Sequence, residues 1–133
     1  EAVRRAVALI EDRGRVLMER RTGALLAGLW EPPGVTLADG ASARPALAAA
    51  LRGLGLPIRS SALAPTGRTL RHTITHRAIV VEVWRGVFSV RPTGNARVRW
   101  VRPADRTLPL TALARKLIAP PESPRQGATR ARR

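Results

Sequence analysis

The chain contains no cysteine and no tyrosine, one phenylalanine, one lysine, and only nine acidic side chains against 24 basic ones. The lack of cysteine excludes disulfides, thiolate metal sites and any iron–sulfur cluster held by these residues, and it argues against an oxidising compartment. No apolar run approaches the roughly 18 residues of a membrane span, and Glu1–Ile10 lacks the apolar stretch of a secretory signal. A cytoplasmic, nucleoid-associated location without a membrane partner is the expectation. Carboxylates are scarcest between Pro33 and Val81, where Asp39 stands alone. A hard divalent cation takes several oxygen ligands, so this stretch has little with which to hold one.

What is present is enough apolar material for one core and an excess of positive charge. With 44% hydrophobic residues in 133, the chain can bury one core and hardly two, so residues 1–119 read as a single domain. Residues 120–133 hold Pro, Gly, Ser and Arg without periodicity and read as a disordered basic tail. The formal charge is +15, and since the tail holds four arginines and one glutamate, the rest still carries +12. That charge belongs to the fold and points to a polyanionic partner. The competing explanation is a GC-rich genome, which inflates Ala, Arg, Gly and Pro together. All but one of the basic residues being arginine fits that explanation too.

Local patterns predict an α/β domain. Val3–Ile10 and Val16–Glu19 are apolar runs flanking Glu-Asp-Arg-Gly, whose Gly14 can take the positive φ of a tight hairpin, so two antiparallel strands are expected. Ser42 can cap a helix in which Ala46, Leu47, Ala50, Leu51 and Leu54 recur on one face. Pro45 is tolerated in its first turn, and Gly53 or Gly55 ends it. Ala78–Val90 is β-prone, with Ile79, Val81 and Val83 alternating against Val80, Glu82 and Trp84. Arg97–Val101 alternates similarly, and Thr111–Ile118 predicts a short helix with Leu113 and Leu117 on one face.

Two glycines add a resemblance to these elements. Gly34 and Gly55, the latter followed by Leu56, fall in register with the Nudix box of diphosphate hydrolases. That box reads Gly, five residues, Glu, seven residues, then Arg-Glu-apolar-x-Glu-Glu-x-Gly-apolar. Its first Glu position is Gly40 here, its Arg-Glu pair is Ala48 and Ala49, and its Glu-Glu pair is Arg52 and Gly53. Val16–Gly34, VLMERRTGALLAGLWEPPG, resembles the stretch that opens the C-terminal domain of MutY-type adenine DNA glycosylases. Arg97–Pro103 and Leu108–Ile118 are similar to that domain's last strand and closing helix. Arg71–Arg77, RHTITHR, is similar to its His-x-Phe-Ser-His loop. The resemblance covers roughly residues 3–118 and implies a Nudix-like fold, a mixed β-sheet packed between helices, with a degenerate Nudix box.

It also implies a function. In that family this domain grips the strand bearing 8-oxoguanine opposite adenine in double-stranded DNA, while a covalently linked N-terminal domain flips out and excises the adenine. The iron–sulfur cluster belongs to that other domain, so no cofactor and no metal are expected here, and a chain starting at Glu1 without Met reads as a piece of a longer protein. Ile74, Thr75 and His76 fall on the Phe-Ser-His positions that lie against the lesion. Guanine presents N7 as an acceptor whereas 8-oxoguanine carries N7–H, and the Thr75 hydroxyl can accept from that N–H. Thr in place of Ser adds a methyl, and Ile74 replaces an aromatic. The plainer reading of the segment is a hairpin rich in Thr and Ile because those residues favour strands.

Arg20, Arg21, Arg68, Arg71 and Arg77 flank the Trp-Glu-Pro-Pro-Gly turn and the threonine loop and are the candidate phosphate contacts. A solvated charged face is the commoner fate of any one arginine. Trp30, Trp84 and Trp100 sit in apolar strand settings that suit a core better than a base-stacking platform. His72 and His76 lack a nearby third ligand for zinc. Glu31 is assigned to hydrogen bonding within its turn or to the junction with a catalytic domain. Two other readings remain open. One is a stand-alone Nudix hydrolase of oxidised nucleotides whose metal site is rebuilt from Glu19, Glu31 and Glu82. The other is a basic nucleic-acid-binding module without lesion preference.

Overall fold

The computed structural model describes residues 2–23 and 27–118, and at Ile74 the backbone alone. In chain order the elements are β1 (Val3–Leu9), β2 (Glu11–Asp12), β3 (Arg15–Arg20), β4 (Trp30–Glu31), β5 (Gly34–Leu37), α1 (Ala43–Gly53), β6 (Leu63–Ile74), β7 (Arg77–Gly86), β8 (Val98–Val101) and α2 (Ala112–Ile118). A single 3-10 turn, Ser60–Ala62, precedes β6. The tail assigned to residues 120–133 lies outside the described residues.

One sheet has the order β5-β1-β7-β6 and is mixed, because β1 and β7 run parallel while the other pairs are antiparallel. The second is antiparallel, with β3 flanked by β2 and β4 on one edge and by β8 on the other. Side chains alternate across the first sheet, and each face has its own helix. Ala6 and Ala8 of β1 pack with Leu47, Ala48 and Leu51 of α1, whereas Val7 packs with Val81, Val83 and Leu113 and Leu117 of α2. The fold is therefore α/β, with a mixed sheet between two helices.

The hairpin expected around Gly14 is present but joins different strands. Arg13 and Gly14 have φ of 53° and 76°, as a type I′ turn requires, yet the turn links β2 to β3. The apolar run Val3–Leu9 instead crosses into the first sheet. Ala6, Val7 and Ala8 are all fully buried, and only a position between β5 and β7, with a helix on each face, covers both sides of such a strand. The hydrogen bond from Leu17 N–H to Ile10 O, 3.0 Å, is what remains of the simple hairpin.

Helix α1 keeps its predicted apolar face but not its predicted cap. Ser42 stands at the N-cap with extended backbone, and its hydroxyl makes no capping bond. The C-terminus is closed more firmly. Gly55 has φ of 86°, its N–H bonds to Arg52 O at 3.0 Å, and Leu56 N–H bonds to Leu51 O at 3.0 Å. These two bonds form a Schellman motif with glycine at the left-handed position and the buried Leu56 following it.

Candidate nucleic-acid interface

Both box glycines are held by backbone geometry. A Cβ on Gly34 would lie 2.5 Å from Ala6 O and 2.7 Å from Val7 Cγ1, since β5 presses on β1 at that point. Gly55 closes α1. The positions between them serve other uses. Ala48 is fully buried in the core under α1, and Ala49, Arg52 and Gly53 are exposed. The Arg52 guanidinium turns back to donate to Ile58 O at 3.2 Å. Helix α1 thus presents no oxygen ligand where the box would hold a divalent cation, and the residues present do not fit one.

The acids outside the box do not gather into a substitute. Glu19 and Glu31 are cross-strand partners on β3 and β4, but Glu82 pairs with Arg4 at 2.9 Å on the α1 side of the other sheet. Among the described residues no group of three or more His, Asp or Glu side chains could hold a metal ion. Glu31 is buried and takes three donors: Arg21 Nη1 at 2.8 Å, Arg5 Nη2 at 3.4 Å and the Thr111 hydroxyl at 3.0 Å. Thr111 in turn accepts from Ala114 N–H at 3.0 Å, capping α2. Glu31 therefore ties β1, β4, the segment after β3 and the start of α2 together. Its role reaches further than the turn the sequence suggested.

Burial unbalances this cluster. It pushes the Glu19 carboxyl above the usual range, with Arg5 acting in the opposite direction, and it lowers the Arg5 guanidinium against the pull of Glu31. Arg5 Nε is buried with no partner among the described residues. A cleft of about 300 Å³ opens beside it, lined by Arg5, Glu19, Arg21, Gly34 and Thr36.

The threonine loop is the tip of a hairpin. Ile74 of β6 pairs with Arg77 of β7, leaving Thr75 and His76 as the two turn residues. Their φ values are 51° and 67°, so both occupy the left-handed region and form a type I′ turn without glycine or asparagine. For a β-branched residue such as Thr this is a genuine outlier, costing roughly 1–2 kcal/mol. Both side chains are exposed at the end of the sheet. The side chain of Ile74, the third candidate, is outside the described residues.

The five candidate arginines separate by what holds them. Arg21 is committed to Glu31, and Arg68 donates to Lys116 O at 3.2 Å and Leu117 O at 3.5 Å, closing the C-terminal end of α2. Arg20, Arg71 and Arg77 are exposed. Register sends Arg71 and Arg77 to opposite faces. Arg71 stands opposite Val80 on the α1 side, whereas Arg77 alternates in step with Ile79, Val81 and Val83 on the α2 side. Lys116, which no local pattern singles out, lies with Nζ 3.4 Å from His72 Nδ1. The His72 imidazole is held below its usual range by burial and by Lys116.

All three tryptophans contribute to packing: Trp30 is buried, and Trp84 and Trp100 pack partly buried against the α1 core. Each lies under a guanidinium, with Arg99 5.2 Å from Trp30, Arg44 5.3 Å from Trp84 and Arg91 4.5 Å from Trp100. Among the described residues no helix is long and apolar enough to cross a membrane.

The model of the NUDIX domain matches residues 5–120. No curated protein matches the chain by sequence. Among solved structures, the chain is similar to the E. coli ORF135 protein, with 25% identity, 86% of this chain and 84% of that one covered, and a TM-score of 0.64. It is also similar to a MutT NUDIX hydrolase from Burkholderia pseudomallei, with 22% identity, 87% and 95% covered, and a TM-score of 0.71. The C-terminal domain of mouse MUTYH, solved in complex with human PCNA, matches at 23% identity, 88% and 85% coverage, and a TM-score of 0.70.

Proposed function

The chain belongs to the Nudix family, and from that premise we propose that it is a binding member, the domain of an adenine DNA glycosylase that reads 8-oxoguanine opposite adenine. The observation that carries this reading is the exposed Thr75–His76 turn, where two non-glycine residues are kept in left-handed conformation at the tip of the longest hairpin. Strain of this kind persists where the surrounding structure over-determines it, and it concentrates at binding sites. The turn exposes Thr75 at the end of the sheet, where its hydroxyl can accept from the lesion's N7–H. An aprotic N7, as in guanine, would require the hydroxyl to rotate and donate. Adenine excision is the work of a covalently linked catalytic domain in this reading. The conversion of the box to Ala49, Arg52 and Gly53 supports binding without hydrolysis, and the likeness to the MUTYH domain supports the fold.

The test compares duplexes carrying 8-oxoguanine or guanine opposite adenine. The wild-type chain is expected to prefer the lesion by a ratio corresponding to about 1–3 kcal/mol, the scale of one good base-edge contact, and Thr75→Ala should collapse that ratio. Equal affinity of the folded wild type for both duplexes would leave a lesion-independent module.

A second reading, hydrolysis of oxidised nucleotides, is favoured by the likeness to the Burkholderia hydrolase over 95% of its length. It requires phosphate release from nucleoside triphosphates that depends on Mg²⁺ or Mn²⁺ and is lost on Glu31→Gln. The expected outcome is no metal-dependent turnover.

A further inference from the structure

The hairpin that ends in Thr75 has two faces, and they differ in what basic side chains they carry. On the α2 side Arg77 follows the alternation of Ile79, Val81 and Val83, and His72 stands opposite Ile79. Lys116 reaches this face from the last turn of α2, 3.4 Å from His72. Arg68 lies alongside but is occupied by the carbonyl oxygens of Lys116 and Leu117. Its bonds fix the end of α2 against β6 and so fix where Lys116 stands. None of Arg77, His72 and Lys116 has a carboxylate partner among the described salt bridges. On the α1 side Arg71 stands beside Val80, and the next pair toward the core is Thr69 with Glu82, the latter already neutralised by Arg4.

We propose that the α2 face of this hairpin, through Arg77, His72 and Lys116, is the track on which a nucleic-acid phosphate backbone lies. The inference rests on the reading of the Thr75 turn as a base contact and adds which side of the hairpin the strand takes. Arg77 and the His72–Ile79 level are two residues apart, about 7 Å along the strand. Phosphates of one strand rise about 3.4 Å each along the duplex axis and stand further apart along the winding backbone, so the row meets two of them. The like charges of Lys116 and a protonated His72 repel each other without an anion between them, and a phosphate oxygen satisfies both. Sequence could not indicate Lys116, since it comes from an element 44 positions away from His72.

The experiment measures duplex affinity of the whole chain against salt, with and without 8-oxoguanine. Lys116→Gln and Arg77→Gln should each lower the magnitude of the log K versus log salt slope by about 0.9, the value of one phosphate contact, and weaken both duplexes alike. Lys116→Glu should weaken binding further. Both side chains are exposed, so loss of the fold is not expected, and circular dichroism checks it. The proposal is overturned if Lys116→Gln and Arg77→Gln leave the slope unchanged, or if Arg71→Gln lowers it instead. A wild type that prefers the lesion while these variants keep its slope removes the proposed face and leaves lesion reading intact. A wild type without lesion preference whose slope falls in both variants does the reverse, and a chain that binds neither duplex removes both.

Discussion

A methyl group on Gly34 would meet the Ala6 carbonyl oxygen at 2.5 Å, a contact with backbone that no rotamer change relieves. Gly34→Ala is therefore expected to lower unfolding free energy by about 1–3 kcal/mol, the range for overpacking, read as a lower urea midpoint. Gly55→Ala should cost about 1 kcal/mol by placing a Cβ at φ of 86°. Neither cost has anything to do with hydrolysis, which is why the spacing of these glycines is legible although no acid stands at the box positions between them. Glu19 is the converse case, a residue whose neighbours the sequence hides. Burial raises its pKa above the ordinary 4.5, so the folded state carries a desolvation cost that is absent below 4.5 and grows as pH rises through the folded pKa. Glu19→Gln removes that cost. It should raise the melting temperature at about pH 7 and do little at about pH 4. A gain that is equal at both pH values would assign the effect to packing.

At the scale of elements, the two I′ turns solve one geometric problem with different residues. Arg13–Gly14 follows the common chemistry, with glycine at the second position, and that glycine made its hairpin readable. Thr75–His76 breaks the rule, so the sequence marked a loop by resemblance and a hairpin by β propensity, without showing which two residues make the turn. Thr75→Gly is expected to raise stability by about 1 kcal/mol through relief of the left-handed strain, while removing lesion preference. Gain in midpoint together with loss of discrimination would separate the turn's binding role from its structural one. A Thr75→Gly variant that is less stable would mean the threonine side chain is holding the tip. The Glu31 cluster was hidden for a different reason. Its donors Arg5 and Thr111 lie 26 and 80 residues away in sequence, and no local period connects them. Removing the carboxylate leaves Arg5 and Arg21 facing each other, so Glu31→Ala should cost about 3–5 kcal/mol, the usual scale for breaking a buried ion pair. The destination of β1 was unreadable on similar grounds. Its consecutive apolar residues from Ala6 to Leu9 show that both faces are apolar, but which strands flank it depends on β5 and β7, far along the chain.

For the molecule as a whole, charge and core are distributed by the layering. Apolar residues fill the two interfaces of the mixed sheet with α1 and α2, and this much the periodicities of residues 43–54, 78–86 and 111–118 allowed one to expect. Which surface carries the basic residues they did not, because a strand residue's face depends on register: Arg71 and Arg77, six apart in sequence, end on opposite sides. The hairpin's α2 face also contains a group sensitive to mild acid. His72 is depressed below 6.5 by burial and by Lys116, so the unfolded chain binds its proton first and stability falls as pH drops below 6.5 toward the folded value. A bound phosphate reverses the sign at this site, because it favours the charged imidazole. Nucleic acid should therefore protect the fold more at about pH 5.5 than at about pH 7.5, an effect lost in His72→Gln. The larger electrostatic term is independent of pH in this range. With +12 carried by residues 1–119, duplex binding is expected to release condensed counterions, and two phosphates on the hairpin alone give a log K versus log salt slope of about −2. Removing residues 120–133 should reduce the slope only by the contacts of its four arginines. If the trimmed chain binds with a slope near zero, the charge of the folded portion is compositional, and nucleic acid is not its partner.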